Sequence, residues 1–242
     1  MQKNVIDVSN YQGDIDFNAV AKQVDGVIIR CGLTYWGNFV PSADKSWEAN
    51  YKGFTDAGVP VGAYYYGVAK NAEQAKREAE QCIKLLEGKK LAYPIYYDVE
   101  EVNTQGSLSK TELTNVVIAF CNKLEQAGYY TGVYASLDWF LNRLDYATLS
   151  KRFTLWIAKW SNTNPTLIHD MWQYSNKGHI DGISGDVDLN DCYKDFESII
   201  KQNHLNGFTP VSPEKVEITL SQALTLIEGT LKNKGISTIT ID

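Results

Sequence analysis

Eight short runs rich in β-branched and aromatic residues recur between residue 4 and about residue 200, and helical stretches separate the early ones. The runs are NVIDVSN (4–10), GVIIRCGL (26–33), VGAYYYGVA (61–69), AYPIYYDVEE (92–101), TGVYAS (131–136), TLWIAKW (154–160), DMWQYS (170–175) and VDLNDCY (187–193). Most are nearly continuous in apolar character, as expected of strands covered on both faces. Between them, residues 72–86 carry Ala75, Ala79, Cys82, Ile83 and Leu86 at helical spacing, with Asn71 as N-cap and Gly88 as stop. A second helix opens at Ser109 with S-K-T-E, the pattern of a capping box, and ends before Gly128. Strand–helix alternation predicts a parallel sheet, and eight strands in about 200 residues predict closure into an α/β, TIM-barrel-like (β/α) barrel. Residues 154–193 leave little room for full helices, so the barrel should be irregular, with helices missing in its second half. A doubly wound open sheet is the alternative architecture.

The predicted organisation has three parts. Residues 1–203 form the barrel. Residues 204–214, with Gly207, Pro210 and Pro213, read as a linker. Residues 215–242 read as strand, helix, strand, too few to bury a core of their own. That segment should dock on the barrel, begin a further module, or pair with a second copy through an edge such as ISTITI, giving a homodimer.

Several function classes are disfavoured. A net charge of −6 with no basic cluster argues against nucleic acid as a partner. No apolar run reaches the roughly 18 residues that a membrane span needs, so no membrane insertion is expected. The opening MQKNVIDVSNYQG lacks the apolar stretch of a secretory signal, which predicts a cytosolic start unless a leader was removed. Cys31, Cys82, Cys121 and Cys192 are far apart and set among apolar residues, so free buried thiols are expected. His169, His179 and His204 show no metal-ligand spacing, and neither metal nor cofactor is expected.

The carboxylates are the chemical signal. In YYDVEE, Asp98 and Glu100 are two apart and would share a strand face about 6–7 Å apart, with Val99 and Glu101 turned away. Like charges so close raise the proton affinity of one member, and a carboxyl kept protonated near neutral pH can protonate a glycosidic oxygen. The run places both at the carboxyl end of its strand, where parallel barrels do their chemistry. Asp7 lies late in the first run and Asp188 in the last. First and last strands of a closed barrel are neighbours, so all four acids would meet at one mouth. Asp186 precedes its strand and reads more simply as a turn residue.

Aromatics supply the second ingredient. Tyr64, Tyr66, Tyr134, Trp156, Trp160 and Trp172 sit on or near strand ends, together with Gln173 and Tyr174. Aromatic planes pack against the C–H faces of sugar rings, and their polar edges meet ring hydroxyls.

Taken in order, D-V-S-x-x-Q-G at 7–13, Y-Y-D-V-E at 96–100, L-W-I-A at 155–158, W-Q-Y at 172–174 and V-D-L-N at 187–190 resemble the family-25 glycoside hydrolases, the Chalaropsis-type lysozymes. The resemblance covers about residues 4–195. It implies an N-acetylmuramidase that hydrolyses the β-1,4 bond between N-acetylmuramic acid and N-acetylglucosamine in bacterial peptidoglycan. It also implies Glu100 as proton donor, Asp98 as its partner, and Asp7 and Asp188 in the same acidic centre. Where many relatives have G-x-Y-H-F on the third strand, this chain has Gly62, Ala63, Tyr64, Tyr65 and Tyr66. The arrangement resembles a phage or prophage endolysin, held in the host cytoplasm until it reaches the cell wall. Two rival readings are a chitinase-like hydrolase, although only the final D-x-E of the chitinase acid run is present, and a glycan-binding protein on a retired barrel.

Overall fold

The computed structural model describes residues 2–208. The expected segment 215–242, the greater part of the expected linker, and the pairing proposed for them lie outside the described residues.

Nine strands form one sheet: β1 (Lys3–Val8), β2 (Gly26–Tyr35), β3 (Val40–Ala43), β4 (Val61–Tyr66), β5 (Ile95–Asp98), β6 (Thr131–Ser136), β7 (Thr154–Ala158), β8 (Met171–Gly178) and β9 (Val187–Cys192). Their order is β1-β9-β8-β7-β6-β5-β4-β2-β3, and β1 also pairs with β2, so eight strands close into a barrel while β3 hangs from β2 as a hairpin arm. The sequence reading did not anticipate β3. Its residues, VPSA, carry no apolar alternation, and the pairing is an antiparallel return of β2 upon itself.

One expectation is corrected. The sheet is not parallel throughout, because β9 runs antiparallel to both β8 and β1. The connection from β8 to β9 is too short for the crossover that a parallel neighbour requires, so the chain turns back directly. As a result the beginning of β9, not its end, stands at the mouth where β1 to β8 finish.

Helices cover the outside in the first half: α1 (Phe17–Val20), α2 (Trp47–Asp56), α3 (Ala72–Leu86) and α4 (Lys110–Gln126). Asn71 caps α3 and Ser109 closes the predicted capping box with Glu112. After β6 only α5 (Leu137–Asn142) and α6 (Tyr146–Leu149) remain, no helix intervenes between β7 and β9, and α7 (Phe196–Gln202) follows β9. The second half is stripped of full helices, as its short connections required. Among the described residues no helix is long and apolar enough to cross a membrane.

Strand period two sorts the core into two layers. Ile6, Val8, Ile29, Ala63, Ile95, Tyr97, Val133, Leu155 and Ile157 pack outward beneath the helices. Val5, Ile28, Tyr96, Tyr134, Trp156, Met171 and Cys192 point into the barrel, and Phe196 and Ile200 of α7 close its floor. Trp156 is the central plug, edge-on to Tyr134 at 4.5 Å, Tyr96 at 5.1 Å and Tyr64 at 6.2 Å between ring centroids. All four cysteines are buried and free.

Residues 204–208 pack onto the barrel rather than leading away from it. Asn206 is buried, donates from Nδ2 to the carbonyls of Leu91 (3.1 Å) and Tyr93 (2.9 Å), and accepts from the Tyr130 amide (2.7 Å).

Candidate active site

The inward positions near the mouth of five strands are polar where those below are apolar. Asp7 continues the Val5 face of β1, Arg30 the Ile28 face of β2, Asp98 the Tyr96 face of β5, Gln173 the Met171 face of β8, and Asp188 and Asn190 the Cys192 face of β9. Because β9 is antiparallel, Asp188 falls directly opposite Asp7 in the ladder.

Asp7 is held by two amides: Gln173 Nε2 donates to its Oδ2 at 3.0 Å and Asn190 Nδ2 to the same oxygen at 2.9 Å. Asn190 Oδ1 in turn accepts from Trp156 Nε1 at 2.8 Å, so the polar layer is tied to the aromatic plug. Gln173 Oε1 accepts from Tyr134 Oη (2.9 Å) and Trp160 Nε1 (3.0 Å). Asp98 is buried, and its Oδ1 has no hydrogen-bond partner among the described residues.

Proton affinity is raised at all four acids. Burial is the largest cause at Asp7, followed by the charge of Asp188, and together they outweigh the two amide bonds. Burial also raises Asp98, with Glu100 and Asp7 adding to it and Arg30 opposing. Asp188 is pushed up to about 6, chiefly by burial. Glu100 presents an exposed face to the cleft, yet its carboxyl is desolvated enough to be raised, and Asp188 and Glu101 push it further. Groups coupled in this way share protons as a set.

Glu100 lies beyond the strand whose face it was expected to share with Asp98. β5 ends at Asp98, so period two does not govern residues 99–101. Val99 does pack outward. Glu101, predicted to turn away with it, is buried and lines the same groove as Glu100. Burial works against the Glu101 carboxylate, but hydrogen bonds from the Asn103 amide, Tyr66 Oη (2.8 Å) and Asn103 Nδ2 hold its pKa below the usual range.

Two cavities meet at the acids. One, about 480 Å³, runs past Tyr66, Glu101 and Arg30 to Tyr35 and Trp36; the other, about 360 Å³, runs past Tyr134 and Gln173 to Trp160. Asp7, Asp98, Glu100, Asp188, Tyr64 and Gln12 line both, so the four acids stand at the junction of one continuous groove. Asp186, expected to serve a turn, lines the second cavity.

Of the aromatics expected from the sequence, Tyr64, Tyr66, Tyr134 and Trp160 line the groove, and Trp156 forms its floor. Trp172 does not. It is buried, its Nε1 donates to the Lys159 carbonyl at 2.8 Å, and it lines neither cavity. Period two explains this, because Gln173 takes the inward position and Trp172 faces the other way.

The sequence reading missed Arg30, Asp44, Asn190, Glu101, Tyr11, Tyr35 and Trp36. Arg30 carried a usable signal, since a lone charge inside GVIIRCGL must find a buried partner. That partner is Asp44, at 2.6 Å, and the guanidinium also bonds Asn10 Oδ1 and lies over the Tyr11 ring. Nothing local marked Asp44, which the β2–β3 hairpin brings back. Among the described residues no group of three or more His, Cys, Asp or Glu is arranged to hold a metal ion.

Comparison with known proteins points to one family. The model of the glycosyl hydrolases family 25 matches residues 6–183, which includes Asp7, Asp98 and Glu100 and stops short of Asp188. The autolytic lysozyme of Clostridium acetobutylicum is 30% identical over 191 residues, covering 77% of this chain and 54% of that protein. The modular autolysin LytC of Streptococcus pneumoniae, solved with a synthetic peptidoglycan ligand, superimposes with a TM-score of 0.69 at 30% identity over 79% of this chain and 47% of LytC. The bacterial lysozyme of Streptomyces coelicolor, at 22% identity, shares the fold with a TM-score of 0.68, covering 85% of this chain and 98% of its own. The chain spans about half the length of the first two relatives. With more than half of its residues matched by the family model, the chain belongs to the glycosyl hydrolases family 25.

Proposed function

We propose that the protein is an N-acetylmuramidase, cleaving the β-1,4 bond between N-acetylmuramic acid and N-acetylglucosamine in peptidoglycan, with Glu100 as the general acid. One observation supports this above the others: Glu100, raised in proton affinity, lines with Asp98 the junction of a two-lobed groove. A polymer threaded through such a groove would have its linkage at the junction and sugars in both lobes. Family membership and the lysozyme and autolysin relatives point the same way.

In this reading Glu100 gives its proton to the glycosidic oxygen as the C1–O bond breaks. The substrate's own acetamido oxygen bonds to C1, forming an oxazolinium. Asp98, whose buried Oδ1 lacks a partner, accepts the acetamido N–H and becomes the counter-charge as positive charge develops. Water then adds at C1 while the Glu100 carboxylate takes its proton, and the acetamido group is restored with the anomeric configuration retained. Asp7 and Asp188 keep a proton between them and frame the ring, while Gln173 fixes Asp7 and holds Tyr134 and Trp160.

We read the site of action as the cell wall and the origin as a phage or prophage endolysin. Four free buried thiols accord with synthesis in a reducing compartment. The test gives purified wall sacculi and soluble chitin to the wild type and to Glu100→Gln. Muramic-acid reducing ends released by the wild type alone are expected. Release of N-acetylglucosamine ends from chitin would replace this reading with a chitinase, and tight binding without release by either protein would replace it with a glycan-binding protein.

A further inference from the structure

Glu100 lies two residues past the end of β5, so the ladder that fixes Asp98 does not reach the proposed proton donor. The chain is tied on either side of it instead. Before it, the Val99 amide donates to the Tyr134 carbonyl of β6 at 3.0 Å, and the Val99 side chain is buried beneath the helices. After it, Glu101 makes the attachment with main chain and side chain together. Its carbonyl accepts from the amides of Gln105 (2.9 Å) and Gly106 (3.2 Å), and its amide donates to Gln105 Oε1 (3.3 Å). Its carboxylate takes three donors: the Asn103 amide and Nδ2 on Oε1, each at 2.8 Å, and Tyr66 Oη of β4 on Oε2, also at 2.8 Å. The loop after β5 is thereby clasped upon itself and tied to a second barrel strand.

Its charge also sets Glu101 apart from the other groups around Glu100. Asp7, Asp98 and Asp188 approach from β1, β5 and β9, but burial above all raises their proton affinity, and they share protons as a set. Burial raises Tyr66 of β4 and Tyr134 of β6 far above the neutral range, so neither carries charge there. Arg30 of β2 is paired to Asp44. For Glu101 burial is outweighed, and its three donors keep the carboxylate ionised at neutral pH in the same groove as Glu100.

We propose that Glu101 is a positioning residue for the proton donor, its bound carboxylate both fixing the loop that presents Glu100 and keeping a negative charge beside it. A constant negative neighbour makes release of the Glu100 proton harder, so Glu100 remains an acid at pH values where an isolated glutamate would already be ionised. The inference rests on the muramidase reading and deepens it.

The test compares the full chain with Glu101→Gln and Glu101→Ala on purified sacculi across pH. Gln keeps the shape of the clasp, with its oxygen toward Asn103 and its amide donating to Tyr66 Oη, but carries no charge. Its kcat/KM should fall about fivefold at pH 7.5, and the loss should shrink as pH drops, so that the alkaline limb moves toward acid. Ala loses the clasp as well and should fall about a further tenfold at every pH. A Glu101→Gln profile parallel to wild type, at any height, would overturn the proposal, because a structural brace alone would not move the limb. Asn103 is exposed and lines neither cavity, so Asn103→Ala should fold while removing one donor from Oε1. Its kcat should fall roughly threefold, and a wild-type kcat would overturn the clasp. If the wild type releases no muramic-acid ends, the muramidase reading falls by itself. Glu101 is then judged by carbon-13 NMR titration of the Glu100 carboxyl, whose signal is assigned by its loss in Glu100→Gln. A midpoint lower in Glu101→Gln than in wild type supports the proposal, and equal midpoints overturn it.

Discussion

Asp7 and Asp188 face each other across the seam where the last strand closes onto the first, paired residue to residue in the antiparallel ladder of β1 and β9. Burial and the charge of Asp188 disfavour ionisation of Asp7, and the folded state keeps a proton that the unfolded chain would release.

The consequence is a pH-dependent stability. Asp188 is raised from the ordinary 3.8 to about 6 by burial, with Asp186 adding to the rise and the bond to Asp7 opposing it. A carboxyl raised on folding contributes its stability fully below about pH 4 and loses it as pH climbs through about 6. Asp188→Asn should therefore unfold roughly 2–4 °C above wild type at pH 7.5, as a change of about 1 kcal/mol would produce. The two thermal curves should converge near pH 4. A variant less stable than wild type at pH 7.5 would contradict the cost assigned to ionising the buried Asp188.

Glu100→Gln keeps the shape of the side chain and removes its acid. Hydrolysis of sacculi should fall by roughly 10²–10⁴-fold, while affinity for the wall remains. In the wild type the alkaline limb of activity should lie above the ordinary glutamate range, because burial and Asp188 hold the proton on Glu100. Reducing-end release measured against pH checks this, and a limb near 4.5 would count against Glu100 as the donor.

Gln173 joins three groups of the groove: Asp7, Tyr134 and Trp160. Gln173→Ala leaves the buried Tyr134 hydroxyl without its acceptor, at a cost of about 1–3 kcal/mol. We expect kcat/KM to fall by roughly 10–100-fold. Gln173→Glu should not restore it, because a carboxylate repels Asp7 instead of donating to it. Rescue by Glu would show that the amide donor is dispensable.

Glu78, on α3, is fully buried away from the groove; it accepts from the Val68 amide (2.9 Å) and bonds Tyr97 Oη (2.5 Å). Burial pushes it up to about 7 against these hydrogen bonds. By the same sign rule, its stabilisation is complete at acidic pH and declines as pH rises through about 7. Differential scanning calorimetry from pH 6 to 9 should show a falling midpoint in the wild type and a flatter one in Glu78→Gln. Parallel slopes would sink the assignment.

Packing around Tyr97 gives a prediction independent of chemistry. A Cβ on Gly67 would sit 2.2 Å from Tyr97 Cε2, and that ring is stacked on Phe120 at 4.0 Å with its hydroxyl tied to Glu78. Since the ring has no free direction to move, Gly67→Ala should cost about 1–3 kcal/mol. Urea unfolding with an unchanged midpoint would refute the close approach.

Much of this molecule was legible locally. Runs rich in β-branched and aromatic residues marked all eight barrel strands, Asn71 and Ser109 marked their helices, and short spacings after residue 154 marked the missing ones. Asp7, Asp98, Glu100 and Asp188 were readable because an acid at the end of an apolar strand has few structural reasons to be there. Strand direction was less visible, because VDLNDC reads alike in either sense and only the short return from β8 turned β9 around.

The sequence by itself determined that eight buried strands would close and that acids would crown several of them, because period and burial are properties of neighbouring residues. Tertiary structure decided the rest. Closure set Asp188 against Asp7 from 181 positions away, brought Asp44 back to Arg30, and turned Trp172 out while admitting Gln173. The end of β5 at Asp98 freed both Glu100 and Glu101 to reach the groove. Such pairings depend on register and chain direction, which are fixed only when the sheet meets itself, and no local pattern of side chains encodes where that meeting falls.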